Sequence, residues 1–292
     1  MENVQRIQYS TNKKKFRLGF YIATIVVVLG SLTMLFPYIW MFLTSFKSTA
    51  EAWAAPTPET FFPVEWITAP YEKILYDEGF YKSIFNTLII EVSVILVGTF
   101  FATLSAFAFA KIKFKNKKFW LLLLMSSMMI PYATVMLPQY QAFQELEMTD
   151  TLLPLILPGL FGNVSMMFFL ITYMKEGIPD ALIESAKIDG SSYVKIFFEI
   201  ALPLSKPAIA AQAIFWFVGI WNDFFAPSIY LTDEKWQTLQ VYLKFLIDSN
   251  NGGVELPTIM AGSVLASLPM ILIFLCFQNF FINSIALSGM KE

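Results

Sequence analysis

The chain has 292 residues, of which 57% are apolar and 14% charged; 30 are phenylalanine, and the formal net charge is −2. Soluble domains carry about 25% charged residues, so the surplus apolar surface has to face lipid. The absence of His and the single Cys276 exclude an internal disulfide and argue against a Cys/His metal site, haem ligation by His and catalysis by a His base.

Residues 1–17 are polar and basic, with Arg6, Lys13, Lys14, Lys15 and Arg17. The apolar run that follows, 18–45, is longer than the ~7–15-residue core of a signal peptide and reads as an uncleaved membrane span. Residues 46–83 mix prolines (Pro56, Pro58, Pro63, Pro70), aromatics and acids. They form an ordered loop outside the membrane, with a short helix expected around 71–82. The second span is placed at 84–110, where Gly98, Ala102, Ala106 and Ala110 recur every fourth residue. A stripe of small side chains lets helices approach closely in lipid. Lys111, Lys113, Lys115, Lys117 and Lys118 follow directly.

The third span, 119–138, is expected to be broken by Pro131 and Pro138. A short acidic loop with Glu145, Glu147 and Asp150 leads to the fourth span at 152–174, which has Pro154, Pro158, Gly159 and Gly162 near its start. A polar loop occupies 175–206. The fifth span is expected at 207–231 and the sixth at 257–283, separated by a loop at 232–256. Six spans put both termini on one side. If the N-terminus is inside, 15 Lys and Arg lie on the inner side and five (Lys47, Lys73, Lys82, Lys235, Lys244) on the outer. The positive-inside rule therefore places both termini and the 175–206 loop in the cytoplasm. The chain divides into a cytoplasmic segment, 1–17, and one membrane domain, 18–292.

A polar loop of this length between two apolar segments needs a role. Pro179 suits a first helical position, Asp180 and Glu184 sit near the positive end of the helix dipole, Gly190 suits a helix stop, and Ser191 or Ser192 can cap a second helix. Leu182, Ile183 and Ala186 share one face; Tyr193, Val194, Phe197, Phe198 and Ala201 share another at helical spacing. The reading is two short helices across one end of a bundle.

Glu184-Ser185-Ala186, then Asp189-Gly190, Ile200 and Leu202-Pro203, resembles the Glu-Ala-Ala loop of ABC importer permeases, with Ser185 in place of the first alanine. In that family the loop is a coupling helix docked into a cleft on the ATPase subunit. The resemblance makes Glu184, Ser185, Ala186, Asp189 and Gly190 the coupling residues. It implies an all-α type I ABC importer transmembrane domain in the cell membrane. Asn86-Thr87-Leu88, Trp221-Asn222-Asp223-Phe224 with Pro227, and Ala266-Ser267-Leu268-Pro269 through Phe277-Gln278-Asn279-Phe280-Phe281 to Gly289 narrow the likeness to maltose-permease-like carbohydrate permeases with a short N-terminus. The implied partners are a second permease, two ATPase subunits and an extracytoplasmic solute-binding protein facing the 46–83 and 232–256 loops. No nucleic acid is expected. No stretch fits the phosphate-binding G-x-x-x-x-G-K-[ST] pattern, so ATP and magnesium belong on the partner ATPase, and no cofactor is expected on this chain.

Ionisable residues inside spans are costly and usually functional. Two readings stand for Asp223: with Trp216, Trp221 and Asn222 it lines a wet translocation path, or it bonds between helices. Asn86, Asn163 and Glu91 read as interhelical hydrogen-bonding groups. Glu184 either meets a basic group on the ATPase or pairs with Lys187 on its own face. The favoured function is a permease subunit of an ATP-driven sugar importer. A polyol or glycerol phosphate permease of the same architecture is one alternative. An ion-coupled secondary transporter using Glu91 or Asp223 is another, and it leaves the 175–206 loop without a purpose.

Overall fold

The computed structural model describes residues 13–55, 57–248 and 255–289, with side chains from 19 to 278. The start of the N-terminal segment, Pro56, part of the 232–256 loop and the charged tail lie outside the described residues. Among them the chain is helical throughout, without strands. In lipid this is expected, because a helix satisfies its own backbone polar groups.

Helix α1 (Lys13–Thr44) is followed by the short α2 (Thr49–Trp53) and α3 (Ala69–Leu75) in the outer loop. α1 has a membrane-length apolar stretch with no buried residue in it; it touches the rest of the chain through the last helix. The outer loop is held at its root. Lys47 is buried, donates to the Thr60 carbonyl at 2.5 Å and lies over the Trp40 ring. Phe46 packs on Trp66 and Tyr71, and the Ser45 and Tyr71 hydroxyls are 2.8 Å apart.

α4 (Glu78–Ser93) starts where Asp77 accepts from the Gly79 and Phe80 amides. It passes through a π-helical turn, Val94–Gly98, into α5 (Thr99–Lys111), a continuous 34-residue rod. The small-residue stripe does what its spacing suggests. Ala102 and Ala106 are buried and α5 packs along α9 (Val164–Gly177). Gly162, at φ +92°, brings its backbone against Ala102.

The expected third span is α6 (Lys117–Ser127) and α7 (Tyr132–Glu145), which meet at 89°. The break falls at Met128–Pro131. Pro138 does not break anything and stays inside α7. α8 (Leu153–Leu160) and α9 form the fourth span.

The fifth span corrects the sequence reading at both ends. After α10 (Asp180–Ile188), the second short helix does not stop at Leu202-Pro203. α11 (Tyr193–Ile196) runs through a second π turn, Phe197–Ala201, into α12 (Leu202–Trp221), a single 29-residue helix. A proline in a regular helix clashes with the carbonyl four residues back. For Pro203 that residue is Glu199, inside the π turn, where the wider hydrogen-bond register leaves room. The span therefore starts near residue 193, not 207. It ends at Trp221 because Asn222 folds its Nδ2 back onto the Val218 carbonyl, while Asp223 accepts from the Ala226 amide. Short polar side chains that compete for backbone groups favour helix ends. Asp223 thus lies beyond the span, in a turn before α13 (Phe225–Tyr230). α14 (Leu239–Asp248) and α15 (Leu256–Gly289) complete the chain.

Five described helices are long and apolar enough to cross a membrane, and the bent pair α6/α7 supplies a sixth crossing when taken together. The inner half is a dense core of Phe107, Leu170, Met174, Ile183, Ile196 and Phe197. The other half holds two smaller clusters, and Trp216 touches both halves. The tightest seam lies between them: a Cβ on Gly98 would stand 2.4 Å from both the Gly159 carbonyl oxygen and the Trp216 ring. Gly98→Ala should therefore overpack the seam. The expected loss is about 1–3 kcal/mol, read as a lower thermal midpoint of the purified chain in detergent, whereas Gly219→Ala, whose new Cβ meets nothing within 4 Å, should leave the midpoint unchanged.

Candidate functional site

The sequence motifs separate into two regions, one at each end of the bundle. At the end that carries α10, Lys111 closes α5 with its side chain only 2% exposed. Its ammonium donates to the Ile178 carbonyl and to Asp180 Oδ1, both at 2.6 Å. This fastens the start of α10 to the second span. The Lys111 hydrogen bond and charge hold the Asp180 carboxyl below its ordinary range, with Lys113 and Lys117 adding to the effect. Ile183 plugs α10 into the inner core.

α10 ends as its residues suggest, with Gly190 at φ +83°. The Gly190 amide bonds the Lys187 carbonyl (3.1 Å) and the Ser191 amide bonds the Ala186 carbonyl (2.9 Å). This is the paired-bond stop that a left-handed residue after a helix makes. Ser192 then caps the next helix by accepting from the Lys195 amide. Pro179 sits one position earlier than expected, as the capping residue, with Asp180 first in the helix.

Glu184, Ser185, Asp189 and Gly190 are exposed, and Ala186 is half-buried. The internal pair with Lys187 is not formed. Lys187 turns to the Ser191 carbonyl and lies 4.4 Å from the Tyr193 ring centroid. Glu184 makes no salt bridge among the described residues. Around it the surface is unusually apolar for a loop: Ile188 is 86% exposed and Val194 68%. The face expected to hold Tyr193, Val194, Phe197, Phe198 and Ala201 is split, because the π turn shifts the register. Phe197 and Ala201 go inward, while Val194 and Phe198 stay exposed.

At the outer end a cavity of about 300 Å³ lies between α4, α8, α12 and α13. Trp216 and Asp223 line it, with Thr87, Tyr132, Tyr230 and Thr238. The Thr238 hydroxyl is buried without a hydrogen-bond partner, and the Tyr230 hydroxyl pairs with Tyr132. Asn222, next in sequence to Asp223, opens instead into a wider space of about 640 Å³ between α1 and α15, near Gln240, Ser263 and Ser267. The pair does not share one wall. Trp221 departs furthest from the expected role. It is buried, stacked on Phe217 at 5.6 Å, and its indole N–H donates to the Ala266 carbonyl. With its one polar group satisfied inside the core, it anchors α12 to α15 and lines neither space.

Asn86 bonds between distant elements, as read, whereas Asn163 bonds only within the start of its own helix. Asn86 Nδ2 donates to the Lys235 and Gln237 carbonyls, and Thr87 Oγ1 accepts from the Leu239 amide. Asn163 caps α9 through the Met166 amide. Glu91 is different: it is buried, and neither carboxyl oxygen has a hydrogen-bond partner. A role missed in the sequence is that of Asp150. At φ 54° it reaches across the outer face, its carboxylate accepting from the Thr232 amide (2.6 Å), the Thr232 hydroxyl and the Asp233 amide (2.9 Å). Its own amide donates to the Tyr230 carbonyl. The only signal in the sequence is an Asp in a Met-Thr-Asp-Thr turn.

The model for the binding-protein-dependent transport system inner membrane component family matches residues 12–286. The chain belongs to that family. Among its relatives, the arabinooligosaccharides transport system permease protein AraQ of Halalkalibacterium halodurans is 29% identical, over 93% of this chain and 96% of that one. The melibiose/raffinose/stachyose import permease protein MelC of Bacillus subtilis is 30% identical, over 92% and 96%. The galactooligosaccharides transport system permease protein GanQ of the same species is 32% identical, over 88% and 90%. Among solved structures, a bacterial ABC transporter involved in import of the acidic polysaccharide alginate has the same fold, with a TM-score of 0.81 at 22% identity over 94% of this chain and 99% of that one. The chain is an all-helical, multi-pass permease of the ABC importer type, as the resemblance implied.

The Asp150 clasp gives a pH dependence. Hydrogen bonds from the Asp233 and Thr232 amides, then the Thr232 hydroxyl, lower the Asp150 carboxyl below its ordinary range. A lowered folded-state value means the stabilisation is complete above the unfolded value of ~3.9 and fades as pH falls through the folded one. Asp150→Asn, which tolerates the same backbone, should lower the thermal midpoint at neutral pH. Its difference from wild type should shrink only in strongly acidic buffer; a difference that already vanishes near pH 6 would contradict the clasp.

Proposed function

We propose that this chain is one permease subunit of an ATP-driven, binding-protein-dependent sugar importer, and that α10 is where ATPase motion enters it. The observation that carries the reading is continuity. α10 is pinned to the second span by Lys111, leads through the Gly190 stop into the helix Tyr193–Trp221, and that helix ends at the Asp223 cavity. At ~1.5 Å per residue, its 29 residues form a lever about 43 Å long from the cytoplasmic face to the outer cavity. A push on Glu184 and its apolar surround therefore passes through the Gly190 turn into one unbroken helix that ends at the cavity.

The free carboxylate of Glu184, beside exposed Ile188 and Val194, suits a partner cleft with a basic group and an apolar wall. Ser185 and Ala186 are small enough for close approach, and Asp189-Gly190 sets the turn. ATP and magnesium are then held by two partner ATPase subunits, and the chain itself performs no chemistry. The 15-to-five bias of basic residues supports an inner α10 and cytoplasmic termini. The exposed length of α1 suits a second permease, and the ordered outer loop suits a solute-binding protein. Sugar as cargo is supported by the relatives named for arabino-, galacto- and raffinose-type oligosaccharides.

Glu184→Lys reverses the charge at the docking face, and Gly190→Trp places a side chain where φ is positive. Each should reduce solute uptake by cells to background while the chain remains in the membrane at wild-type level. Co-purification in mild detergent should show the ATPase with wild type and its loss in the variants. Normal uptake in both variants, or a wild-type chain that runs without any ATPase after cross-linking, would turn attention to Glu91 and ion coupling.

A further inference from the structure

We infer that the Asp223 cavity is a charge filter that admits uncharged glycans and refuses anionic ones. This rests on the permease reading above and adds a property of the solute. The residues lining the cavity include one carboxylate, Asp223, and no Lys or Arg. Asp223 forms no salt bridge among the described residues. Its hydrogen bond from the Ala226 amide, 3.3 Å, caps α13 and leaves the negative charge without a cation.

The rest of the lining suits hydroxyl groups. Thr238 Oγ1 belongs to a residue more than nine-tenths buried on the cavity wall and has no hydrogen-bond partner, and the Tyr230 hydroxyl lies beside it on the same wall, paired with Tyr132. A buried hydroxyl left unpaired is costly. A sugar hydroxyl both donates and accepts, so it can donate to Asp223 and pair with Tyr230 and Thr238 in either sense. A solute carboxylate or phosphate offers only acceptors to Asp223 and adds like-charge repulsion, which grows in a confined, weakly screened space. Trp216 contributes ring surface for the apolar face of a sugar.

The approach to the cavity has the same sign. The outer segments carry six acids and three lysines in 46–83, three acids and no base in 139–151, and four acids and two lysines in 232–256. Such a field lowers the local concentration of anions before they arrive. The likeness in fold to an importer of an acidic polysaccharide therefore does not extend to the charge of the cargo, and sugar phosphates and uronates are excluded from it.

The test reads the potential directly and needs neither the natural solute nor a binding protein. Thr238→Cys, in a Cys276→Ser background, places a thiol of similar size in the cavity wall. The whole complex in membranes is treated at pH about 8, above the ordinary carboxyl range. The probes are cationic trimethylammonium-ethyl methanethiosulfonate and anionic sulfonatoethyl methanethiosulfonate, with each rate divided by that for a free thiol. The normalised cation-to-anion ratio should exceed about tenfold, should fall about tenfold with Asp223→Asn, which keeps the capping oxygen, and should fall in the otherwise unaltered Thr238→Cys chain as salt is raised. A ratio near one, or one that neither Asp223→Asn nor salt changes, overturns the filter. So does an introduced thiol that neither reagent modifies, because the cavity is then closed to solutes. The permease reading is judged separately by ATPase co-purification and stands whichever way the ratio falls.

Discussion

The seam where Gly98 meets the Gly159 carbonyl and the Trp216 ring sets the proportions of the molecule. Three elements come together there at distances that admit no side chain on either glycine: a Cβ on Gly159 would lie 2.6 Å from Val94. On the α10 side of the seam, aromatic and aliphatic side chains fill the space between α5, α9, α10 and the start of the fifth span. On the outer side the helices part, and the space left is the Asp223 cavity. Trp216 is wall to one side and floor to the other. A permease that alternates between two faces needs a place where solvent is stopped, and close backbone packing is the least compressible way to make one.

The two π turns belong to the same design. Val94–Gly98 ends at the seam, and Phe197–Ala201 lies where the coupling region becomes the fifth span. Such turns are frequent at functional positions because they loosen the hydrogen-bond ladder without ending the helix. Here each preserves a long rod where a hinge would otherwise form. Breaks do occur at Met128–Pro131, at Phe161–Asn163 within the fourth span, at Asp189–Ser192 after α10 and at Asn222–Phe224.

Apolar runs separated by lysine clusters are enough to place six crossings, because in lipid the backbone has few options. The α10 turn is equally legible: Gly190, Ser192 and the apolar face of Ile183 act through their nearest neighbours. The fifth span is misplaced at both ends by its own sequence. Pro203 and Pro207 look like stops at its start; Pro203 is accommodated by a π turn that leaves no mark in composition, and Pro207 stays inside the regular helix. At its far end, Trp221, Asn222 and Asp223 read as one polar feature within a span. Three consecutive residues at a helix end point in three directions, so they separate into a core anchor, one cavity and another. The Asp150 clasp spans 82 residues, and nothing local announces it.

Asn86 and Thr87 hold the 235–239 strip with three hydrogen bonds from one helical turn. Two of the residues that mark the sequence as carbohydrate-permease-like therefore work as a backbone splint. This bears on recombination between relatives. An outer loop transplanted from another permease carries its specificity only if its backbone presents two carbonyls and an amide at the spacing this turn expects. A crossover placed between the second span and the 232–256 loop would separate the splint from what it holds. Exchange of whole outer modules, with the head of the second span included, keeps the two halves matched and leaves cargo preference free to change.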